Sequence, residues 1–203
     1  MKLTFLGATE TVTGAKYLLS YDSKKILIDC GLFQGYKELR LRNWNKLPID
    51  PEKIDAVIIT HAHIDHSGYL PLLMKNGYRG PIFATEGTKD LCSILLPDSG
   101  HLHEEDAFRA NRYGYSKHKI ALPLYTKVEA EKVLKQFVAI KFNTPTILDK
   151  SCQFTFYPAG HILGASILEL KVEGKKIIFT GDLGRRNDPI IAEPAIIEQT
   201  DYL

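Results

Sequence analysis

The sequence has few of the features that mark secreted, membrane-bound or disordered proteins. Its 203 residues include only three cysteines, at 30, 92 and 152. Because this number is odd and the spacings are long, a disulfide framework or a cysteine zinc site is excluded and a reducing cytoplasm is indicated. No apolar run approaches the roughly 20 residues of a membrane helix, and the one after Lys2 is too short for a signal peptide. We therefore expect a cytoplasmic protein with no membrane partner.

An excess of charge of either sign is also lacking. The 26 basic residues nearly balance the 24 acidic ones, for a formal net charge of +2, so nucleic acid would have to bind through a local site. The 44% hydrophobic and 25% charged residues are typical of globular proteins. The length fits one domain, and no repeat, low-complexity tract or linker divides residues 1–203.

Strand-like and helix-like segments alternate along the chain, which favours an α/β layered fold. The first third predicts strands at 2–7, 17–19, 26–29, 55–59 and 81–84, and helices at 36–44 and 68–76. The middle predicts separate helices at 86–96 and 99–113, and a third that begins at Thr126 with Glu129 completing a capping box. The last third predicts strands at 153–157, 165–172 and 176–180, the last two joined by a turn at 173–174.

A cluster of metal-binding residue types follows the apolar strand at 55–59: His61, His63, Asp65 and His66. Imidazole and carboxylate ligands suit zinc, with manganese and iron as alternatives. His61 and His63 are two residues apart, so in an extended segment they point the same way. Asp65 and His66 can turn towards a second ion. The alternative is a polar loop that only caps the strand.

Two later residues are candidate partners for this cluster. A catalytic zinc site usually takes three protein ligands and a water, so the cluster needs further ligands. His161 and Asp182 each follow a predicted strand and have glycines beside them, which permit tight turns and close backbone approach. We therefore expect both residues to join the metal site.

The order of these motifs resembles the metallo-β-lactamase superfamily, through residues 61–66, 160–161 and 181–182. Four further strings resemble its β-CASP branch of RNA-processing nucleases, which includes ribonuclease J and the cleavage-and-polyadenylation endonuclease: residues 6–14, 29–35, 123–126 and 160–164. The resemblance implies an α/β fold, a four-layer αββα sandwich that is incomplete at its C-terminal end.

The resemblance also implies two zinc ions with imidazole and carboxylate ligands: His61, His63 and His161 for one ion, Asp65 and His66 for the other, and Asp182 bridging them. Catalysis would be assigned to Asp65, His66 and Asp182. A hydroxide between the metals would attack an RNA phosphodiester, leaving a 5′-phosphate and a 3′-hydroxyl. Asp29 matches a family aspartate that orients the ligand loop, although a carboxylate that caps a turn is an equal alternative.

The sequence departs from the family pattern in two ways. A further histidine for the second metal and the β-CASP cap both lie outside residues 1–203. His101 and His103 are expected on the surface or at a helix end, and His118 lies beside a basic stretch, so none fits the missing position. The resemblance therefore implies the N-terminal portion of a metallo-β-lactamase-like domain, with a seventh ligand beyond Leu203.

The predicted function is a zinc-dependent ribonuclease acting on single-stranded RNA, as an endo- or exonuclease. A lactone, thioester or β-lactam hydrolase on the same metal core is one alternative, and an inactive metal- or RNA-binding subunit is another. A homodimer or a processing complex is left open. One basic and aromatic segment either contacts RNA or is a solvated connector: Arg109, Arg112, Tyr113, Tyr115, Lys117 and Lys119.

Overall fold

A computed structural model describes residues 1–203 as two stacked sheets with helices on one side. The first sheet has six strands in chain order: β1 (Lys2–Phe5), β2 (Tyr17–Tyr21), β3 (Lys24–Ile28), β4 (Ala56–Ile58), β5 (Ile82–Thr85) and β6 (Phe137–Ile140). The β1–β2–β3 meander is antiparallel, whereas β3 to β6 pair in parallel. Parallel strands need crossover connections, and all five α-helices lie in the connections between β3 and β6.

The second sheet is antiparallel, in the order β10–β9–β8–β7. Its strands are β7 (Thr146–Ile147), β8 (Cys152–Pro158), β9 (Ser166–Val172) and β10 (Lys175–Phe179). The predicted turn between the last two strands is confirmed, since Glu173 and Gly174 both have positive φ angles, of 50° and 74°. Glycine adopts this backbone conformation at little cost.

The five α-helices are α1 (Lys37–Leu41), α2 (Ile64–Ser67), α3 (Leu70–Lys75), α4 (Glu86–Tyr113) and α5 (Lys127–Val133). Short 3₁₀ segments cover Arg42–Trp44, Pro51–Lys53 and Leu134–Gln136. The predicted capping box at the start of α5 is confirmed, because Thr126 accepts from the Glu129 amide and Glu129 accepts from the Thr126 amide. No helix is long and apolar enough to cross a membrane.

Successive side chains along the central strands point to opposite faces of the first sheet, which divides the hydrophobic core into two layers. Leu27 and Val57 face α3, α4 and α5, in a cluster with Leu73 and Leu96. The neighbouring positions face the second sheet in a cluster that includes Ile26, Ile28, Ile58, Phe154 and Phe156. The predicted α/β sandwich is confirmed. Three of its four layers are present: the helices and the two sheets. No helix forms after β10, and irregular chain that includes Ile197 packs on the outer face of the second sheet instead.

One long helix replaces the two that the sequence predicted around Pro97. Residues 86–113 form a continuous α4 with Pro97 inside it. Proline removes one helical hydrogen bond, but α4 is held on both sides of this point. Leu96 is fully buried in the core, and Gly100 lies against the backbone of Thr126 and Lys127 at the start of α5. Tertiary packing therefore keeps the helix continuous.

Two strands were not identified in the sequence, β6 and β7. β6 has four residues and buries only Phe137 fully, and β7 has two residues. Such short segments carry too few side chains to show an alternating pattern. Pairing with β5 and β8 determines their conformation.

We expect the contact between the two sheets to contribute strongly to stability. The Phe156→Ala substitution should lower the free energy of unfolding by about 3–5 kcal/mol, because Phe156 is fully buried and its removal leaves a cavity. The matched control Phe108→Ala, at a ring that is 63% exposed, should change it by less than about 0.5 kcal/mol. Urea denaturation measures both values, and similar losses would contradict this view of the core. Phe156→Leu serves if the alanine variant does not fold.

Candidate metal centre

The predicted ligands lie together where strands of both sheets end. The first group follows β4 of the six-stranded sheet, and the second group follows β8 and β10 of the four-stranded sheet: His61, His63, Asp65 and His66, then His161 and Asp182. Asp65 and His66 lie on the single-turn helix α2 rather than in a loop, and His63 precedes its first residue. The site therefore depends on the two sheets being docked.

Four of these side chains converge on one point. Atoms of His61, His63, His161 and Asp182 that can bind a metal all lie within 4.8 Å of one another. His63 Nδ1 is 3.1 Å from His61 Nε2 and 3.2 Å from His161 Nε2. Asp182 Oδ2 lies 3.4 Å from His161 Nε2 and 3.7 Å from His61 Nε2. Three imidazoles and one carboxylate oxygen thus face a common centre.

The other oxygen of Asp182 faces a second group. Asp182 Oδ1 lies 3.4 Å from His66 Nε2, and Asp65 Oδ2 is 4.0 Å from the same nitrogen. The Asp182 side chain is 43% exposed, whereas that of His61 is 1% exposed. The cluster is therefore closed at its base and open to solvent beside Asp182.

A buried carboxylate orients two of the imidazoles. Asp29 is 1% exposed and accepts a 2.7 Å hydrogen bond from His66 Nδ1. It also accepts from the Thr60 amide at 2.8 Å and from the Thr60 hydroxyl. Thr60 Oγ1 in turn accepts from His61 Nδ1 at 3.1 Å. Both Nδ1 atoms are thereby occupied, which directs each Nε2 atom at the cluster. These contacts favour the orienting role of Asp29 over that of a turn cap.

The local environment acts in opposite directions on the pKa values of the imidazoles at the base of the site. Burial, together with the neighbouring His66, lowers the pKa of His61 to about 3. Burial also lowers the pKa of His63, next to His161. Burial lowers the pKa of His66 too, but the carboxylates of Asp29, Asp182 and Asp65 together outweigh it and raise this pKa to about 9. His61 is thus neutral at pH 7, whereas His66 carries protons on both nitrogens and has to release the one on Nε2 before that atom can bind an ion.

This donor set fits a divalent metal ion. The His61 Nε2 lone pair faces other nitrogen and oxygen acceptors at 3.1–3.7 Å, and such an arrangement is repulsive unless a proton or a cation lies among the atoms. Three imidazoles and a carboxylate are the ligand types that zinc prefers. The cluster and the fold support a metal cofactor.

The turn that carries His161 is fastened to the start of α4. The hydroxyls of Thr85 and Thr88 donate to the Gly164 carbonyl at 2.6 and 2.9 Å. Gly164 has φ of 77°, and a Cβ there would collide with the Thr88 amide. Only glycine therefore fits this turn, which sets the position of His161.

The remaining histidines lie outside the cluster. His101 is exposed on α4 near Glu105, and His118 is exposed in the loop after α4. The His103 ring packs on Tyr125, with 4.9 Å between centroids. The exposed position of His101 agrees with its expected surface role, whereas His103 is partly buried in the middle of α4 rather than on the surface or at a helix end.

The basic segment at 109–119 is distant from the metal cluster. Gly87, at the start of α4, contacts Gly164 beside the His161 turn. Arg109 lies 22 residues further along the same helix, which at 1.5 Å per residue is roughly 33 Å away. The structure therefore does not bring this segment to the site.

Two residues that support the ligand loops, Thr60 and Lys16, were not predicted from the sequence. Thr60, directly before His61, could have been noticed as a hydroxyl next to the cluster. Lys16 is 1% exposed, and its ammonium bonds to the Gly31 carbonyl and lies 4.7 and 4.8 Å from the ring centroids of Phe33 and Tyr69. Burial lowers the pKa of Lys16 to about 8, although the Cys30 thiol opposes this shift. No sequence pattern distinguishes this lysine from a surface one.

Comparisons with known proteins agree with this site. A family profile described as a metallo-beta-lactamase superfamily domain matches residues 18–202. A ribonuclease of Thermus thermophilus, TTHA0252, is 32% identical over 203 residues, which are 100% of this chain and 42% of the relative. Integrator complex subunit 11 of Danio rerio is 30% identical over 193 residues, 93% of this chain and 30% of the relative. The chain thus spans less than half the length of these relatives.

A solved structure shares the fold. The metallo-beta-lactamase fold protein YhfI of Bacillus subtilis aligns with a TM-score of 0.53 at 16% identity, covering 91% of this chain and 63% of that one. At this identity the likeness concerns the fold alone.

We expect Asp29→Asn to weaken metal binding by roughly 10–100-fold, as is typical when a residue that orients a ligand is changed. An amide accepts more weakly than a carboxylate and can present its own N–H to His66 Nδ1, which favours the tautomer protonated at Nε2. Zinc titration against a chromophoric chelator measures the affinity. Asp22→Asn, at an exposed turn, is the control and should leave it unchanged. A folded Asp29→Asn protein with wild-type affinity would contradict the role of Asp29.

Proposed function

Because the chain belongs to the metallo-β-lactamase superfamily, we propose that it carries the metal centre of a zinc-dependent ribonuclease. The convergence of three imidazoles and a carboxylate at the ends of β4, β8 and β10 carries this proposal. A relative named as a ribonuclease, 32% identical along the whole chain, supports RNA as the substrate. Integrator complex subunit 11 among the relatives supports action within a processing complex.

The residues present have distinct tasks in this proposal. His61, His63, His161 and Asp182 Oδ2 would hold one zinc ion, and Asp65, His66 and Asp182 Oδ1 would contribute to a second. Divalent ions at such a site supply Lewis acidity, polarising a phosphoryl oxygen and lowering the pKa of a water molecule from 15.7 to about 7. Asp29 keeps the His66 proton on Nδ1, so that Nε2 can act as a ligand.

The open side of the cluster suits a large substrate. The side chains of His161 and Asp182 are 27% and 43% exposed, whereas His61 and Asp29 lie underneath. A phosphodiester can therefore approach from the Asp182 side. The cap and the seventh ligand expected beyond Leu203 stay predictions, and the coding sequence past codon 203 would test them.

We expect His63→Ala and Asp182→Ala to lower RNA cleavage by roughly 1,000-fold or more, because the metal contributes several kcal/mol to the stabilisation of the transition state. Gel assays on a 5′-labelled single-stranded RNA measure cleavage, elemental analysis measures bound zinc, and circular dichroism checks the fold. His118→Ala, at an exposed histidine outside the cluster, should behave as wild type.

Two results would contradict this proposal. Unchanged cleavage by folded His63→Ala protein would refute the metal-dependent mechanism. Faster turnover of a β-lactam, lactone or thioester than of RNA would assign the same metal core to small-molecule hydrolysis.

A further inference from the structure

A second basic and aromatic segment, Tyr36–Lys46, follows the loop after β3, and we name it the basic arm. Its eleven residues carry four cations and one acid: Lys37, Arg40, Arg42 and Lys46 against Glu38. None of these cations forms a salt bridge within the chain, unlike Lys75 or Arg109. The basic arm therefore presents unneutralised positive charge.

The basic arm also exposes large apolar side chains. Its helix α1 buries none of its residues. Tyr36 is 81% exposed, Leu41 55% and Trp44, the only tryptophan, 57%. Aromatic side chains that stay in water beside cations are typical of a contact surface rather than of a core.

The basic arm is fixed to the metal cluster rather than loosely attached. Asn43, its one buried residue, accepts from the Phe33 amide at 2.9 Å and donates to the Phe33 carbonyl at 2.8 Å. The Arg42 guanidinium lies 5.6 Å from the centroid of the Phe33 ring. The same loop binds the ligand segment, because the Cys30 amide donates to the His66 carbonyl at 2.7 Å.

Distance along the chain places the basic arm close to the cluster. The Leu32 amide donates to the carbonyl of Ile64, the residue before Asp65, at 2.9 Å. Tyr36 is four residues from Leu32, so their Cα atoms are at most about 14 Å apart. The segment at 109–119 lies roughly 33 Å along α4 by comparison. The start of the basic arm therefore lies closer to the ligand helix α2 than the segment at 109–119 does, while its Trp44 end lines a surface depression together with Leu122 and Pro123.

We propose that the basic arm binds the single-stranded RNA substrate as it approaches the metal cluster, with Lys37 and Arg40 contacting phosphates and Tyr36 and Trp44 stacking on bases. This inference rests on the proposed ribonuclease function and adds the surface that holds the RNA. Unpaired bases offer flat faces for stacking, and the backbone offers one negative charge per nucleotide. The net charge of the arm, +3 from four cations and one acid, is complementary to that ligand.

Charge reversal in matched pairs tests the proposal. Lys37→Glu/Arg40→Glu and Lys117→Glu/Lys119→Glu change the net charge equally, and all four side chains are exposed and without salt bridges. Fluorescence anisotropy with a labelled 20-nucleotide single-stranded RNA measures affinity at several salt concentrations. The arm pair should bind roughly 10–100-fold more weakly and show a smaller salt dependence, with about 0.7 lost from the slope per phosphate contact. The 117/119 pair should stay within about twofold of wild type.

Trp44 gives a direct readout of contact. Because it is the only tryptophan among the 203 residues, stacking of a base on its ring should quench the intrinsic emission as RNA is added. Zinc content should be equal in all variants, because no arm residue belongs to the metal cluster.

The possible results distinguish a failure of the basic-arm proposal from a failure of the proposed ribonuclease function. Wild-type RNA affinity in the arm pair, or an equal loss in the 117/119 pair, would overturn the role of the basic arm while leaving the ribonuclease function standing. Unchanged RNA affinity with loss of a copurifying protein would assign the arm to a protein partner and also overturn the proposal. Failure of the wild-type protein to bind or cleave RNA would instead refute the proposed function itself.

Discussion

The carboxylate of Asp29 is the contact on which the metal cluster depends. It accepts hydrogen bonds from His66 directly and from Thr60, which in turn accepts from His61. Asp29 adopts this position with a φ of 54°, a left-handed conformation that costs a non-glycine residue roughly 1–2 kcal/mol. The chain retains this strain because the turned backbone aims the carboxylate beneath two ligand rings. One side chain thus fixes the orientation of ligands for both proposed ions.

Much of this arrangement could be predicted because it follows from local sequence. The apolar residues of β4 identify a buried strand, and the histidines that follow it carry the ligand chemistry. Glycines beside His161 and Asp182 likewise mark tight turns at strand ends. The double contact of Asp182 was expected only from the family resemblance, because its geometry depends on the spacing of two sheets. The burial of Lys16 also depends on tertiary packing, since its partners come from the loop after β3 (Gly31 and Phe33) and from Tyr69, directly before α3.

The two basic segments show how position changes the meaning of composition. In the sequence, residues 109–119 are the more prominent, because no acid interrupts them. The unbroken passage of α4 through Pro97 carries them to the C-terminal end of that helix, away from the His161 turn. The basic arm at 36–46 is less prominent in the sequence because it contains an acid, but the Asn43 side chain attaches it to the loop that supports the ligands. Tertiary anchoring rather than charge density therefore sets how far each segment lies from the ligand loops.

The origin of the ligands in two sheets has a consequence for assembly. His63 and His161 are 98 residues apart in the chain. An ion that binds both therefore acts as a cross-link that spans nearly half of the 203 residues. Closing so long a loop costs considerable chain entropy. Folding has already closed this loop, through the docking of the two sheets, before the ion binds. Binding of the ion by all of these ligands therefore requires the two sheets to be docked correctly. A chain with mispaired sheets would hold only the short-range ligands and would lose its ion readily, so metal retention selects the correctly folded molecule.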